Sequence, residues 1–220
     1  MSSHHIVREA QEPALIIANG EDCSQDLMNQ LLEWSPTVMV LDGALERVLQ
    51  LDIKIDIVLG DFDFQTIDTI KEKIQPHCKV VHTPNQDKTD LEKGIEYLIE
   101  NGHKAVNIIW ATGKRSDHAI NNLAILARYF NQINLVMLDN YSKIYPLKSG
   151  FAKYYAQNTS LSLIPLNKVE ALKTENLVWN LNHETIEFPY STSSSNRVAA
   201  DGIVYIEFKS GILLMMECID

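Results

Sequence analysis

The sequence predicts an α/β protein in two parts: an N-terminal, mostly parallel sheet flanked by helices, then a smaller C-terminal antiparallel β-sandwich. Up to about residue 142, short apolar runs alternate with segments of helical periodicity, which is typical of a parallel sheet covered by helices. From Phe151 onward the helical periodicity gives way to short alternating segments between turn-prone residues, which favours a small sandwich. We therefore predict an α/β domain over residues 1–142 and a β-sandwich domain over residues 143–220, with a linker at Tyr141–Gly150.

Six strands are predicted in the first part, each a short apolar run that stops at small or polar residues. They cover residues 14–18, 37–41, 57–59, 79–82, 106–110 and 135–138. Right-handed crossovers bring the carboxyl ends of such strands to one edge of the sheet. Ligands of open parallel sheets bind at that edge, so the residues that follow the strands are the first candidates for a site.

Helices are predicted between these strands from apolar residues that recur at helical spacing. They cover residues 26–34, 45–51, 66–74, 89–101 and a segment that starts at Ser116. Thr89 and Glu92 fit a capping box, in which Thr89 is the N-cap residue. Ser116 is predicted to cap the last helix.

The second part contains six alternating segments that we predict to be strands. They cover residues 151–156, 161–164, 177–181, 185–188, 202–208 and 212–218. The polar stretch from Tyr190 to Arg197, which contains four serines and a threonine, is predicted to be a mobile loop.

Composition restricts the class of partner and the compartment. The net charge of −10 argues against a nucleic-acid partner, because binding to phosphate backbones needs a basic surface. Cys23, Cys78 and Cys218 are scattered and odd in number, which predicts a reducing cytoplasm rather than a disulfide framework. Residues 1–12 lack the apolar core of a signal peptide, and no apolar run reaches the ~18 residues of a membrane helix. We therefore expect a cytoplasmic protein without a membrane partner.

Two carboxylates, Asp61 and Asp63, directly follow the apolar run Ile57–Leu59 and the bend at Gly60. Two acids this close repel each other unless a cation lies between them, which favours a site for a divalent metal, most simply Mg²⁺ bridging phosphates. The alternative is that the two acids cap a turn and the helix that follows.

Asp87 and Asp90 precede and open the next predicted helix, and Asp42 follows the second strand. The helix dipole alone can explain Asp87 and Asp90. If Asp90 lies beside Asp61 and Asp63, however, the three would form a carboxylate site for a metal. Asp42 suits a ribose or base contact, or a helix cap.

The segment from Ala111 to His118 combines a glycine turn, two cations and a predicted helix N-terminus. Such a corner binds anions, and the Arg115 guanidinium can hold a phosphate through two hydrogen bonds. It is not a P-loop, because Gly113-Lys114 lacks the second glycine and the hydroxyl of that motif.

Taken together, these stretches resemble the thiamine pyrophosphokinase (thiamine diphosphokinase) family over nearly the whole chain. The chain departs from the usual family pattern at Ala44–Glu46, at Lys114, where a glycine is usual, and at Arg197, where an acid is frequent. Such departures would fit a divergent branch. The segments that carry the resemblance are Asp42-Gly43-Ala44 with Arg47, Gly60-Asp61-Phe62-Asp63, Asp87-Lys88-Thr89-Asp90-Leu91-Glu92, Thr112-Gly113-Lys114-Arg115-Ser116-Asp117-His118 with Asn122, Leu177-Val178-Trp179-Asn180-Leu181 and Ser195-Asn196.

The resemblance implies transfer of diphosphate from ATP to the hydroxyethyl group of thiamine, giving thiamine diphosphate and AMP. It implies a homodimer with active sites between the subunits, Mg²⁺ as cofactor, and thiamine and ATP as substrates. Asp61, Asp63 and Asp90 would hold Mg²⁺ against the phosphates, and Arg115 with Lys114 would neutralise the developing charge.

The remaining roles implied by the resemblance concern the two substrates. Asp42, Gln86 and Thr112 would contact the nucleotide, and Asp117 would orient the phosphate-binding corner or a substrate. Ser195 and Asn196 would face the thiamine pyrimidine. The resemblance thus implies that the domain over residues 1–142 is the nucleotide-binding catalytic domain, and that the β-sandwich over residues 143–220 binds thiamine and forms the dimer. Trp179 could stack on an aromatic ring, but a buried position in the β domain is the expectation for it.

Two other functions stay open at this point. Asp61 to Thr66 is similar to the nucleophile motif of haloacid-dehalogenase-type, Mg-dependent phosphatases, but its threonine comes one position late. A non-catalytic sensor of nucleotide or thiamine on the same fold is the second alternative.

Overall fold

The computed structural model describes residues 13–63 and 66–219. The chain divides into two compact units, Met1–Asp139 and Asn140–Asp220. Residues 1–12, which are predicted not to form a signal peptide, and Phe64-Gln65 of the phosphatase-like motif lie outside the described residues. Within the described part of the chain, no helix is long and apolar enough to cross a bilayer.

The first unit contains a parallel sheet, and each of the six strands predicted from the sequence is present. The sheet order is β4-β3-β2-β1-β5-β6, and each neighbouring pair is parallel. Residues of β1, β2, β3 and β5 are buried throughout, as expected for strands with both faces covered. The strands are β1 (Ala14–Ile17), β2 (Val38–Leu41), β3 (Ile57–Gly60), β4 (Lys79–His82), β5 (Ala105–Ile109) and β6 (Asn134–Leu138).

The strand order reverses at β1. Strands β2, β3 and β4 follow outward on one side of β1, whereas β5 and β6 lie on its other side. A crevice opens at such a reversal beyond the carboxyl ends of the two central strands, and ligands of doubly wound proteins bind there.

Five α-helices connect these strands, and their starts test the predicted caps. Thr89 Oγ1 accepts a hydrogen bond from Glu92 N at 3.4 Å, which confirms Thr89 as the N-cap residue. The Glu92 carboxylate binds Arg128 and Tyr129 instead of returning to the cap. Ser116 is the first helical residue and Arg115 occupies the cap position, so that prediction was wrong by one residue. The helices are α1 (Gln25–Leu32), α2 (Leu45–Val48), α3 (Ile67–Lys73), α4 (Asp90–Glu100) and α5 (Ser116–Tyr129).

Helix α4 packs closely on β1, β2 and β3. Gly94 allows this approach, because a Cβ atom there would lie 3.1 Å from Met39 Sδ. Asp90 is the first residue of this helix and lines the cavity beyond the carboxyl ends of the strands.

The second unit is an antiparallel β-sandwich of two sheets. One has the order β12-β9-β14-β7 and the other β11-β10-β13-β8. Leu161, Leu163 and Met215 from the first sheet share a buried core with Leu172 and Val204 from the second. The strands are β7 (Ser142–Pro146), β8 (Phe151–Tyr155), β9 (Ser160–Pro165), β10 (Val169–Glu175), β11 (Glu184–Ile186), β12 (Ser193–Arg197), β13 (Gly202–Glu207) and β14 (Leu213–Cys218).

Several parts of this unit differ from the prediction. Residues 193–197 form β12 on the edge of a sheet rather than a mobile loop, and the predicted linker contains β7, which pairs with β14. Strand β10 was missed. Residues 177–181 make only an isolated bridge from Leu177 to Val198, because the Asn180 side chain accepts a hydrogen bond from Leu177 N and closes a turn.

Candidate active site

A cavity of about 920 Å³ opens in the first unit beyond the carboxyl ends of the strands. Residues that follow β1, β2, β3, β4 and β5 contribute to its wall, as the strand reversal predicts. Of the residues proposed from the sequence, those that line this cavity are Asp42, Asp61, Asp63, Gln86, Asp90, Lys114 and Arg115. Asp61, Asp63 and Asp90 thus line the same cavity, as the metal hypothesis requires, and their joint binding of a metal ion stays a prediction.

Glycine residues bring the strand ends together at this cavity. A Cβ atom on Gly60 would overlap the Asp42 carboxylate, so the acid that ends β2 lies directly against the end of β3. A Cβ atom on Gly20 would overlap the backbone oxygens of Trp110 and Thr112. The loops after β1 and β5 therefore meet at the point where the strand order reverses.

Phe62 shapes the turn between the two adjacent acids. It is buried and its φ is 55°, a left-handed conformation that is uncommon for residues other than glycine. Its backbone N donates to Asp42 Oδ2 at 3.1 Å, and its ring stacks on that of His82 with centroids 5.9 Å apart. The turn is thus held from both sides, which fixes the positions of Asp61 and Asp63.

Three acids share one electrostatic environment. Burial raises the pKa of Asp42 above its ordinary value, and the charges of Asp90 and Asp61 raise it further. Asp61 behaves in the opposite way: its Oδ2 accepts a hydrogen bond from Gln86 Nε2 at 2.8 Å, which holds the pKa of this carboxyl below its ordinary value. Asp61 is therefore ionised at neutral pH, as a metal ligand must be.

Among the residues that the structure describes, no three His, Cys, Asp or Glu side chains converge closely enough to hold a metal ion by themselves. The protein alone thus does not form the closed three-carboxylate cage that the sequence suggested. Mg²⁺ is usually bound by one or two carboxylates together with water and substrate phosphates. The mutual repulsion of the acids at Asp42, Asp61 and Asp90 fits such an open site.

Lys93, which was not predicted as a site residue, also lines the cavity. Its side chain is only 7% exposed, and its Nζ lies 3.1 Å from Asp90 Oδ1 and donates to Thr83 O at 2.9 Å. The charge of Lys93 also lowers the pKa of Asp61. The spacing of three residues after Asp90, which places both on one helix face, was the available signal.

The corner after β5 presents a pre-assembled ion pair. Arg115 donates to both carboxylate oxygens of Asp117, from Nε at 3.1 Å and from Nη2 at 2.6 Å. The hydrogen bond from Arg115 lowers the pKa of Asp117 to about 2. Arg115 and Lys114 line the cavity, whereas Asp117 and Thr112 are outside its wall.

The Thr112 hydroxyl, which is predicted to contact the nucleotide, forms a hydrogen bond within the protein. It donates to Asp139 Oδ2 at 2.8 Å, which ties the loop after β5 to the end of β6. Two polar residues of α5 also line the cavity, His118 and Asn122. Asn122 Nδ2 donates to Ala111 O at 2.8 Å, so this amide holds the start of the same loop.

The two residues proposed for thiamine lie on β12 in the second unit. Ser195 is exposed with a φ of 53°, at an irregularity where β12 shifts its register against β9. Asn196 is only 2% exposed. Its Oδ1 accepts from Trp179 N and Arg197 N, and its Nδ2 donates to Trp179 O and Ser193 Oγ.

These bonds use all four hydrogen-bonding positions of the Asn196 amide. Its observed role is therefore to hold the Trp179 backbone. Trp179 itself is 58% exposed, so the expectation of a buried tryptophan was wrong. The Arg197 guanidinium lies 5.6 Å from the centre of the Trp179 ring, within the range of a cation–π contact.

Models of one protein family match most of the chain. The family described as "Thiamin pyrophosphokinase, catalytic domain" matches residues 28–137, and "Thiamin pyrophosphokinase, vitamin B1 binding domain" matches residues 151–213. Thiamin pyrophosphokinase 1 of Caenorhabditis elegans is 24% identical over 192 residues, which cover 80% of this chain and 76% of that protein. Thiamine pyrophosphokinase of Bacillus subtilis is 23% identical over 167 residues, covering 73% and 77%.

Solved structures show the same fold. The crystal structure of thiamine pyrophosphokinase from Bacillus subtilis superposes with a TM-score of 0.77 at 22% identity, covering 94% of this chain and 99% of that one. The yeast thiamin pyrophosphokinase gives 0.80 at 16% identity, covering 96% and 88%. These similarities confirm the predicted fold class and do not support a phosphatase of the haloacid-dehalogenase type or a sensor. The chain belongs to the thiamin pyrophosphokinase family.

Proposed function

We propose that this protein transfers the terminal diphosphate of ATP to the hydroxyethyl oxygen of thiamine, giving thiamine diphosphate and AMP. The observation that carries the proposal is the cavity in the first unit, where acids and cations from separate strand ends meet. Family membership supports the same reaction. The thiamine oxygen attacks the β-phosphorus of ATP. The bond between the β-phosphorus and the oxygen that bridges it to the α-phosphorus breaks, and AMP leaves with that oxygen.

ATP binds in this cavity in the proposed reaction. Arg115 and Lys114 face the phosphates, and Asp117 keeps the Arg115 guanidinium in a fixed plane through two hydrogen bonds. A preset planar fork suits phosphate oxygens and loses little freedom on binding. Asp42 and Gln86 line the same cavity and are proposed to contact the nucleotide, whereas Thr112 supports the loop.

Mg²⁺ is the proposed cofactor. Asp61, Asp63 and Asp90 would hold it, because all three line the cavity and Asp61 is ionised at neutral pH. When bound, the ion would neutralise charge on the phosphates. Lys93 keeps Asp90 in place, and one of the cavity aspartates is proposed to accept the proton of the thiamine hydroxyl.

Thiamine is proposed to bind the second unit, whose residues 151–213 match the vitamin B1 binding domain. The exposed Trp179 ring and the Ser195 hydroxyl offer a stacking surface and a hydrogen-bonding group. Asn196 supports them by fixing the Trp179 backbone.

The assembly and the compartment are further parts of the proposal. A homodimer is proposed from family resemblance. A reducing cytoplasm is supported by Cys23, Cys78 and Cys218, which are all free thiols.

Measurement of AMP and thiamine diphosphate, formed from ATP and Mg²⁺ with and without thiamine, tests the proposed function. Equal amounts of both products, formed only with thiamine, would support the kinase. Release of phosphate without thiamine, with a phosphoryl group trapped on Asp61, would support a phosphatase instead. Tight binding of ATP or thiamine without product would support a sensor.

A further inference from the structure

A chain of hydrogen bonds runs behind the cavity from helix α5 to the loop that precedes α4. The Tyr129 hydroxyl lies 2.6 Å from Glu96 Oε1 and 2.9 Å from Glu92 Oε1. Glu96 in turn accepts from Lys88 Nζ at both oxygens, at 2.6 and 2.8 Å. Lys88 lines the cavity, so the chain ends at the proposed active site.

The charges of this chain balance only when Lys88 is included. Glu92 and Glu96 are one helical turn apart on α4, and two like charges at this spacing repel. Arg128 Nη1 lies 2.5 Å from Glu92 Oε1, so the Arg128 charge balances one of the two negative charges. Lys88 supplies the second positive charge, and a buried or half-buried carboxylate without it would be costly.

The pKa directions agree with this pairing. Burial acts to raise the pKa of Glu96, but the hydrogen bonds from Lys88 and Tyr129 outweigh it and hold the pKa below its ordinary value. Glu96 is therefore ionised at neutral pH and able to hold the Lys88 ammonium.

The loop held by Lys88 carries other residues of the cavity. Gln86 donates to Asp61, and Asp87 N donates to the Asn85 side chain at 2.7 Å. Thr89, directly after Lys88, caps α4. The segment 85–89 is thus fixed at one end by Gln86 and Asp61 and at the other by Lys88 and Glu96.

We propose that Glu96 and Tyr129 are positioning residues, which act through Lys88 to hold the segment 85–89 against the cavity in its reactive arrangement. This inference rests on the proposed function, because it assigns the segment to phosphate transfer. Neither Glu96 nor Tyr129 lines the cavity, so they would affect the reaction without contacting the substrate.

Glu96→Ala and Tyr129→Phe test the proposal against a matched control. The control is Tyr97 on α4, whose hydroxyl accepts a hydrogen bond from Lys79 Nζ at 2.7 Å and which does not line the cavity. We expect kcat to fall about 10-fold in both test variants, since a displacement of about 1 Å can cost up to about 100-fold. Glu96→Gln, which keeps an acceptor for Lys88 but not the negative charge, should recover part of this loss, and Tyr97→Phe should stay within about two-fold of wild type.

Hydrogen–deuterium exchange without ligands provides a readout that does not need turnover. Amides 85–89 should exchange faster in Glu96→Ala and Tyr129→Phe than in wild type and Tyr97→Phe. Unchanged exchange, or kcat within about two-fold of wild type in both test variants, would overturn the positioning role. If the wild type makes no AMP with thiamine, the proposed function fails, and the exchange comparison alone decides whether Glu96 and Tyr129 hold the segment.

Discussion

Glu217→Gln should destabilise the β-sandwich far more than the loss of an ordinary surface charge. One oxygen of Glu217, on β14, accepts hydrogen bonds from Tyr145 on β7 at 2.5 Å, from Tyr155 on β8 at 2.8 Å and from Lys153 on β8 at 2.6 Å. Strand β8 belongs to one sheet, and β7 and β14 belong to the other. This single carboxylate therefore joins the two sheets.

The magnitude follows from the change in charge, because glutamine keeps an acceptor oxygen but not the negative charge. A hydrogen bond to a charged group contributes about 1.5–3 kcal/mol and a neutral one about 0.5–1.5 kcal/mol, so each of the three bonds should lose about 1 kcal/mol. The Lys153 side chain is 41% exposed, and water would replace part of its loss. We expect the free energy of unfolding to fall by about 2 kcal/mol.

Urea denaturation at pH 7, followed by circular dichroism, measures this difference. Glu175→Gln is the matched control, because Glu175 pairs with Lys173 at 2.7 Å on the exposed surface of the same unit. Loss of such an exposed ion pair should lower the free energy of unfolding by less than about 1 kcal/mol. Equal destabilisation in both variants would contradict the proposed link between the sheets.

The loss of unfolding free energy caused by Glu217→Gln should also depend on pH. Burial acts to raise the pKa of Glu217, but the hydrogen bonds from Lys153 and Tyr145 hold it below the ordinary value of 4.5. The ionised carboxylate therefore contributes its full stability above pH 4.5 and loses it as the pH falls through the lower, folded-state pKa. A deficit that stays undiminished down to pH 3 would refute this reasoning.

Three further predictions concern the proposed active site. Asp61→Asn and Asp63→Asn should each abolish thiamine-dependent AMP formation while circular dichroism stays unchanged; near-normal rates in both at saturating Mg²⁺ would rule out the metal assignment. Arg115→Lys should lower kcat/KM by about 10-fold or more, because an ammonium cannot form the planar, two-point contact; an unchanged value would remove Arg115 from the site. Asn196→Ala should raise the KM for thiamine about 10-fold with little change in the KM for ATP, since about 1.4 kcal/mol of lost orientation at Trp179 corresponds to that factor. Equal effects on both substrates would contradict this role for Asn196.

Features set by neighbouring residues were well predicted from the sequence. The six parallel strands follow from short apolar runs, and the Thr89 cap follows from a local hydrogen bond between residues three apart. The placement of Asp42, Asp61 and Asp63 in the wall of one cavity followed from one topological rule, which puts the ends of parallel strands at the same edge. Thr112, predicted by the same rule, is outside that wall.

Features set by distant partners were missed for a physical reason. Residues 193–197 have the composition of a loop, and they form β12 only because β9 offers a free edge about 30 residues earlier in the chain. Glu92 fits a capping box locally, but Arg128 and Tyr129, on another helix, compete successfully for its carboxylate. The exposure of Trp179 depends on the backbone bonds from Asn196, which no local pattern reveals.

The contact between Gly60 and Asp42 has a consequence for how this protein can evolve. Even a single methyl group at position 60 would collide with the Asp42 carboxylate, although the strand itself would accept alanine. Substitution of this glycine is thus restricted by the acid that follows the neighbouring strand β2, rather than by the backbone conformation of β3. A larger residue can therefore replace this glycine only in descendants of the chain that have also lost the acid at position 42.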